Sequence, residues 1–119
     1  MVPPPYGQHF LIDEALAKRE VAYAEVSRGD VVLEVGPGKG ILTRLLAEQA
    51  ERVLAVEIDD RLVTFLTPRL PKNVELIHGD ILKVPLASFP RFTKIVSNIP
   101  YEISSPLTFI LLDLSLIHI

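Results

Sequence analysis

Four short stretches of the 119-residue chain carry residue types that could bind a nucleoside and hold an amine for reaction. The first is Glu34-Val35-Gly36-Pro37-Gly38-Lys39-Gly40, a glycine-rich loop with an acid two positions before its first glycine. Glycines let a backbone turn sharply and approach a ligand with no Cβ in the way. A helix starting just after such a loop offers unpaired N–H groups to an anionic part of the ligand. Taken alone, the loop could also be only a tight strand-to-helix turn. Glu57 stands 21 positions after Gly36, close to the spacing at which a carboxylate accepts hydrogen bonds from ribose hydroxyls in nucleotide-binding α/β folds. An ionised carboxylate suits that work because it only accepts. Asp80, in Gly79-Asp80, could accept from the exocyclic amino group of adenine, although Asp in such a pair is commonly only a turn residue. Last comes Asn98-Ile99-Pro100-Tyr101. The lone pair of an exocyclic amine is delocalised into its ring. The Asn98 amide oxygen and the Ile99 carbonyl could accept both amine hydrogens and so aim that lone pair. Proline fixes the backbone that presents such a carbonyl, and Tyr101 could stack on a flat base.

The loop spacing distinguishes between ligands. Dinucleotide sites read G-x-G-x-x-G, whereas Gly36-Pro37-Gly38-Lys39-Gly40 reads G-x-G-x-G. That variant resembles motif I of methyltransferases that use S-adenosylmethionine (SAM), in which the loop passes under the methionine part. An amine held at Asn98 then implies methyl transfer by in-line displacement, driven mainly by positioning. No strong general base is needed, because the proton on the methylated amine is acidic.

These residues need a scaffold that brings the ends of four strands together. Val31–Val35, Arg52–Glu57, Val74–Ile77 and Lys94–Asn98 read as strands, each bounded by turn residues. Helices are expected from about Glu14 to Ser27, capped by Asp13, and over Ile41–Ala50, where Ile41, Leu42, Leu45 and Leu46 share one side. Asp59 or Asp60 caps a short helix ending near Pro68, and His78 reads as a turn or surface residue. A last helix is expected from Ser104 or Ser105, with Pro106 in its first turn. Strands alternating with helices give an open, mostly parallel sheet, the α/β class. Ligands of such sheets bind outside the carboxyl ends of the strands, where all four stretches fall.

Composition narrows the function classes. The chain is 49% hydrophobic and 23% charged, enough apolar content for a buried core. A net charge of -3 argues against a strongly basic nucleic-acid module, though not against a local RNA surface. There is no cysteine, which removes disulfides and thiolate metal sites, and no metal site is expected. The longest apolar stretch, Pro106 to Leu112, is too short to span a bilayer, and residues 1–10 lack a signal-peptide pattern. A cytoplasmic protein is the expectation.

Taken in order, Gln8-His9-Phe10-Leu11-Ile12-Asp13, Val32 to Thr43, Glu57-Ile58-Asp59, Gly79-Asp80 and Asn98 to Pro106 resemble the KsgA-type ribosomal RNA adenine dimethyltransferases. The match runs over roughly residues 7–112. It implies a Rossmann-like SAM-dependent methyltransferase fold, here only its first four strands and flanking helices. It also implies transfer of methyl groups from SAM to N6 of two adjacent adenines near the 3′ end of small-subunit rRNA, in ribosome biogenesis. By the same resemblance His9 and Leu11 contact SAM, Gly36 and Gly38 line its methionine side, Glu57 takes the ribose and Asp80 the adenine. Asn98 lies at the methyl and the target amine; with Pro100 and Tyr101 it makes the catalytic set. His9 stands where many members have Asn. The Asn-Ile-Pro-Tyr form and the Ser-Ser-Pro-Leu-Thr-Phe continuation resemble the archaeal and eukaryotic branch.

The implied partner is small-subunit rRNA or the pre-ribosomal small subunit, bound by a monomer. Residues 1–113 are family-like, whereas 114–119 do not resemble the family and are expected to be a foreign tail. The family's C-terminal helical domain is expected to be absent, with the fourth strand at an edge, reduced stability and incomplete activity. Rival readings are an Erm-type large-subunit rRNA methyltransferase, a small-molecule or protein N-methyltransferase, a non-catalytic RNA-binding or transcription factor of the same fold, and an NAD-binding dehydrogenase.

Overall fold

The computed structural model describes residues 14–99 and 108–113, with the backbone alone at 86, 98, 99 and 108–112. Its elements are α1 (Glu14–Ala24), β1 (Val31–Val35), α2 (Ile41–Gln49), β2 (Arg52–Glu57), α3 (Asp60–Leu66), β3 (Val74–His78), β4 (Lys94–Ile99) and β5 (Thr108–Asp113), with one turn of 3-10 helix at Leu86–Ser88. The strands form one sheet in the order β3-β2-β1-β4-β5. The first four are parallel. Strands buried on both faces read as continuous apolar runs rather than alternations, and β1 and β2, at the centre, have that composition.

Each face has its own core. On one side α1 and α2 bring Ala17, Leu42, Leu46 and Ala47 against Val32, Val53 and Val96. On the other, Leu33, Leu54 and Val56 meet Ile77, Ile81, Phe89, Phe92 and Ile95. Leu33, Leu42, Leu46, Leu54 and Leu66 are fully buried, each contributing about 1.5–3 kcal/mol by removal from water. α1 lacks a clean apolar stripe, and only Ala17 and Ala24 of it are buried.

At the amino end of the sheet a second fixing replaces that missing stripe. Lys94 donates to the carbonyls of Ala24 at 2.9 Å and Glu25 at 2.8 Å, and pairs with Asp30 at 3.1 Å. The last carbonyls of a helix have no partner within it, so Lys94 caps α1, next to the left-handed Glu25 (φ 53°). Asp30 also accepts from the Ser27 N–H at 2.8 Å and the Thr93 hydroxyl at 2.7 Å. Its own burial pushes the Asp30 carboxyl up, but the Ser27 N–H, the Thr93 hydroxyl and Lys94 together bring it below the ordinary carboxylate value.

Two expectations change. Thr108–Asp113 was expected inside a helix; it is a strand, antiparallel to β4, with Ser97 opposite Ile110 and Lys94 opposite Asp113. Consequently β4 is not an edge strand, and β5 is. A short apolar run such as Phe109–Leu112 fits either element by pattern, and here pairing satisfies the backbone groups along one side of β4. Pro106 and the proposed start at Ser104 or Ser105 lie outside the described residues, as does the Asp13 cap.

Candidate cofactor and amine site at the carboxyl edge

Strand register places the candidate residues. Val35 lies opposite Val56 on one side and opposite Ser97 on the other. The next residues along are Gly36, Glu57 and Asn98, which therefore stand level at the end of the sheet. Glu57 in turn lies opposite His78. The ladder runs one step past the strands: Gly36 donates to the Val56 carbonyl and Gly79 to the Glu57 carbonyl, each at 2.9 Å. Asp80 follows at once. Adjacent strands are roughly 4.8 Å apart, so Asn98 and Glu57, with β1 between them, are separated by two strand spacings.

The loop needs its glycines for two different reasons. Gly36, Gly38 and Gly40 all have left-handed backbones, with φ of 76°, 59° and 89°, a conformation costing other residues roughly 1–2 kcal/mol. At Gly40 there is also no room: a Cβ would lie 2.9 Å from Cδ2 of Leu66. Gly40 is the N-cap of α2 and lets α3 pack against it. At Gly38 a Cβ would meet nothing within 4 Å among the described residues. The space over the middle of the loop is open, as a ligand cradle requires.

Glu57 is 4% exposed. Oε2 accepts the Asp59 N–H at 2.9 Å, and the carboxylate also interacts with the N–H groups of Gly38 and Ile58. It is thus drawn against the glycine loop. Burial pushes its carboxyl above the ordinary value; the Asp59, Gly38 and Ile58 amides oppose that, and the neighbouring Asp59 charge adds to it. A carboxylate has about four acceptor sites, so lone pairs remain for a ribose diol. Asp80 is half-buried; Oδ1 accepts the Leu82 N–H at 2.9 Å, and its carbonyl accepts from Lys83 and Val84.

Asp59 caps α3 and accepts from the Arg61 N–H at 2.8 Å. The Arg61 guanidinium holds it below the ordinary carboxylate value. His78 is half exposed, with Nε2 2.9 Å from Oδ1 of Asp60, a surface contact. His9, Leu11, Pro100 and Tyr101 lie outside the described residues, so the structure brings together Gly36, Gly38, Glu57, Asp80 and the Asn98 backbone.

Two residues here were not read from sequence, and a third was read only as the acid that precedes the glycine loop. Ile58 and Leu82 are apolar yet 42% and 90% exposed, and each lies within two positions of a candidate carboxylate. That adjacency was the available signal. The third is Glu34, 1% exposed, with Oε1 accepting the Thr43 hydroxyl at 2.6 Å. An acid inside the otherwise apolar VVLEV run was its signal. Among the described residues no group of three or more His, Asp or Glu could hold a metal ion, and no helix is long and apolar enough to cross a membrane.

Comparison with known proteins agrees with this geometry. The family described as ribosomal RNA adenine dimethylase matches residues 3–119. A curated relative from Thermococcus onnurineus, named probable ribosomal RNA small subunit methyltransferase A, is 54% identical over 104 residues, covering 87% of this chain and 37% of the relative. Among solved structures, a dimethyladenosine transferase from Plasmodium falciparum is 33% identical with a TM-score of 0.69, covering 81% of this chain and 35% of that one. The 23S rRNA methyltransferase ErmE is 37% identical with a TM-score of 0.64, covering 81% and 39%. The chain thus spans under two-fifths of the length of the relatives it matches. With its sheet order, glycine loop and aligned strand ends, the chain belongs to the ribosomal RNA adenine dimethylase family.

Proposed function

We propose that the chain is the cofactor-binding part of an enzyme that transfers methyl groups from SAM to N6 of two adjacent adenines near the 3′ end of small-subunit rRNA, during ribosome biogenesis. The observation that carries this reading is the register that sets Gly36, Glu57, Asp80 and Asn98 along one edge of the sheet. The open space over Gly38 and the buried carboxylate of Glu57 fit a nucleoside with an amino-acid tail. The cofactor supplies an electrophilic methyl group on a sulfonium.

The chain's own residues bind and orient. Gly36 and Gly38 pass under the methionine part, with His9 and Leu11 contributing from the N-terminal segment. Glu57 accepts from the ribose hydroxyls and Asp80 from the adenine amine, while Ile58 and Leu82 flank the adenine plane. At the target base, Asn98 and the Ile99 carbonyl accept the two amine hydrogens, Pro100 fixes that carbonyl, and Tyr101 stacks on the ring. The amine lone pair is then aligned for in-line attack, which lowers the barrier by positioning. The methylated amine loses its surplus proton to water. The partner is the small-subunit rRNA or its precursor particle, the protein acts as a monomer, and the compartment is the cytoplasm.

Calorimetric titration of SAM into the chain tests the cofactor half, with Glu57→Ala as the control. Loss of hydrogen bonds to a charged acceptor costs about 1.5–3 kcal/mol, so affinity should fall roughly 10- to 100-fold. Equal affinity for both proteins would exclude Glu57 from the site. The likeness to ErmE favours a second reading, an adenine of large-subunit rRNA. Methylation assays of a gene extended to the relatives' length, on separated small and large subunits, distinguish the two substrates.

A further inference from the structure

Glu34 sits beneath the glycine loop in an environment that a carboxylate ion does not suit. It is 1% exposed. Oε1 accepts the Thr43 hydroxyl at 2.6 Å, while Oε2, also buried, has no hydrogen-bond partner among the described residues. Thr43 lies in the first turn of α2, which begins directly after Gly40. The Glu34–Thr43 bond therefore closes on the loop from both sides, joining the strand that enters it to the helix that leaves it.

Among the described residues, the groups acting on Glu34 include no compensating cation. From β2 comes Glu57 and from α1 comes Glu20, both acting on it as like charges. Its register partners, Ala55 on β2 and Val96 on β4, are buried and apolar. Lys94 of β4 is committed to Asp30, to Asp113 and to the carbonyls of Ala24 and Glu25. An ion at Glu34 would be an unpaired buried charge beside other carboxylates, whereas the neutral acid leaves at most an unpaired hydroxyl, a far smaller cost. Burial pushes this carboxyl up to about 7, with Glu57 and Glu20 adding to the rise and the Thr43 hydroxyl opposing it.

We propose that Glu34 is a positioning residue that braces the glycine loop as the neutral acid, and that its ionisation drives Glu57 and the loop apart and weakens cofactor binding. The coupling rests on the reading of the carboxyl edge as a SAM site; the protonation of Glu34 does not. Ionisation takes one proton from the Glu34 carboxyl to solvent and leaves a second negative charge next to Glu57. Cofactor affinity should then fall as pH rises through about 7. Glu34→Gln keeps the shape and the acceptor for Thr43 but cannot ionise.

The test has two measurements on the chain across neutral pH. Infrared spectroscopy reads the neutral carboxyl as a carbonyl band, expected to titrate near pH 7 and to be missing in Glu34→Gln. Calorimetry reads SAM affinity, expected to weaken about 10-fold or more from the acid to the alkaline side in the wild-type chain. In Glu34→Gln it should be pH-independent and equal to the wild-type acid value. No titrating band overturns the neutral acid. A pH-independent wild-type affinity, or the same pH dependence in Glu34→Gln, overturns the coupling. Affinity that rises with pH also overturns it, because the ionised group would then be attracting a cationic ligand. A titrating band with no SAM binding at any pH overturns the cofactor reading, and the coupling with it.

Discussion

At the amino end of the sheet, polar groups are matched donor to acceptor; at the carboxyl end some are left over. Lys94, Asp30, Thr93, Ser27 and the last carbonyls of α1 are joined by contacts between 2.7 and 3.1 Å, and Lys94 also pairs with Asp113 of β5 at 3.7 Å. Contacts 63 to 70 residues apart in sequence join the two halves of this set, which ties α1 to β4. At the opposite end, three glycines hold left-handed backbones, Glu34 has an unsatisfied oxygen among the described residues, and Ile58 and Leu82 face solvent. Local rules of folding are broken most often where function needs them broken. The two ends divide the labour: one secures the fold, and the other keeps open acceptors and apolar surface for ligands. Carboxylate ionisation shows the same division, since Asp30 lies below its ordinary value and Glu34 above.

The largest effect should come from the amino end. Lys94→Met leaves Asp30 buried without its cation, and breaking such a pair costs about 3–5 kcal/mol. Urea denaturation should show that loss, while the folded fraction binds SAM almost normally. A binding defect as large as that of Glu57→Ala, with stability intact, would break the division between the two ends.

The next effect is set by pH. The Glu34 carboxyl rises from 4.5 to about 7 on folding, so the folded chain holds the proton more tightly than the unfolded chain. Its contribution is fully present below 4.5 and is lost as pH rises through about 7. The shift corresponds to about 3 kcal/mol at 1.36 kcal/mol per unit. Asp30 has the opposite sign: its contribution is present above 3.8 and is lost as acid protonates it. Denaturation midpoints from pH 5 to 9 should decline in the wild-type chain and stay level in Glu34→Gln. A level wild-type curve would place Glu34 with ordinary surface acids.

The smallest effect is Gly38→Ala. Space is open there, so only the left-handed backbone is penalised, by about 1–2 kcal/mol. Gly40→Ala should cost more, because its Cβ also meets Leu66. Comparing the two denaturation curves separates conformational need from steric need within one loop. Equal losses would mean that Leu66 yields without cost.

Much of the central sheet was legible as local pattern. β1 and β2 begin and end where runs of β-branched residues meet turn residues, and the Asp59 cap follows from an acid placed before a short apolar helix. The residue types of the cofactor edge were equally visible, because glycine and carboxylate spacing is a one-dimensional property. β5 was not, since Phe109–Leu112 suits a helix as well as a strand and only the open side of β4 decides between them.

Sequence by itself determined that the chain alternates strands and helices, that a glycine loop and Asp80 follow strands, and that Glu57 and Asn98 stand at the ends of two others. Only the tertiary structure decided that Gly36, Glu57 and Asn98 stand level, that Glu34 lies buried under the loop against Thr43, and that Lys94 reaches Asp30 and the end of α1. The physical reason is register and side choice. A strand's pattern says which residues alternate, but which face is covered by α1 and α2, and which residue of a distant strand lies opposite, depends on packing between segments far apart in the chain.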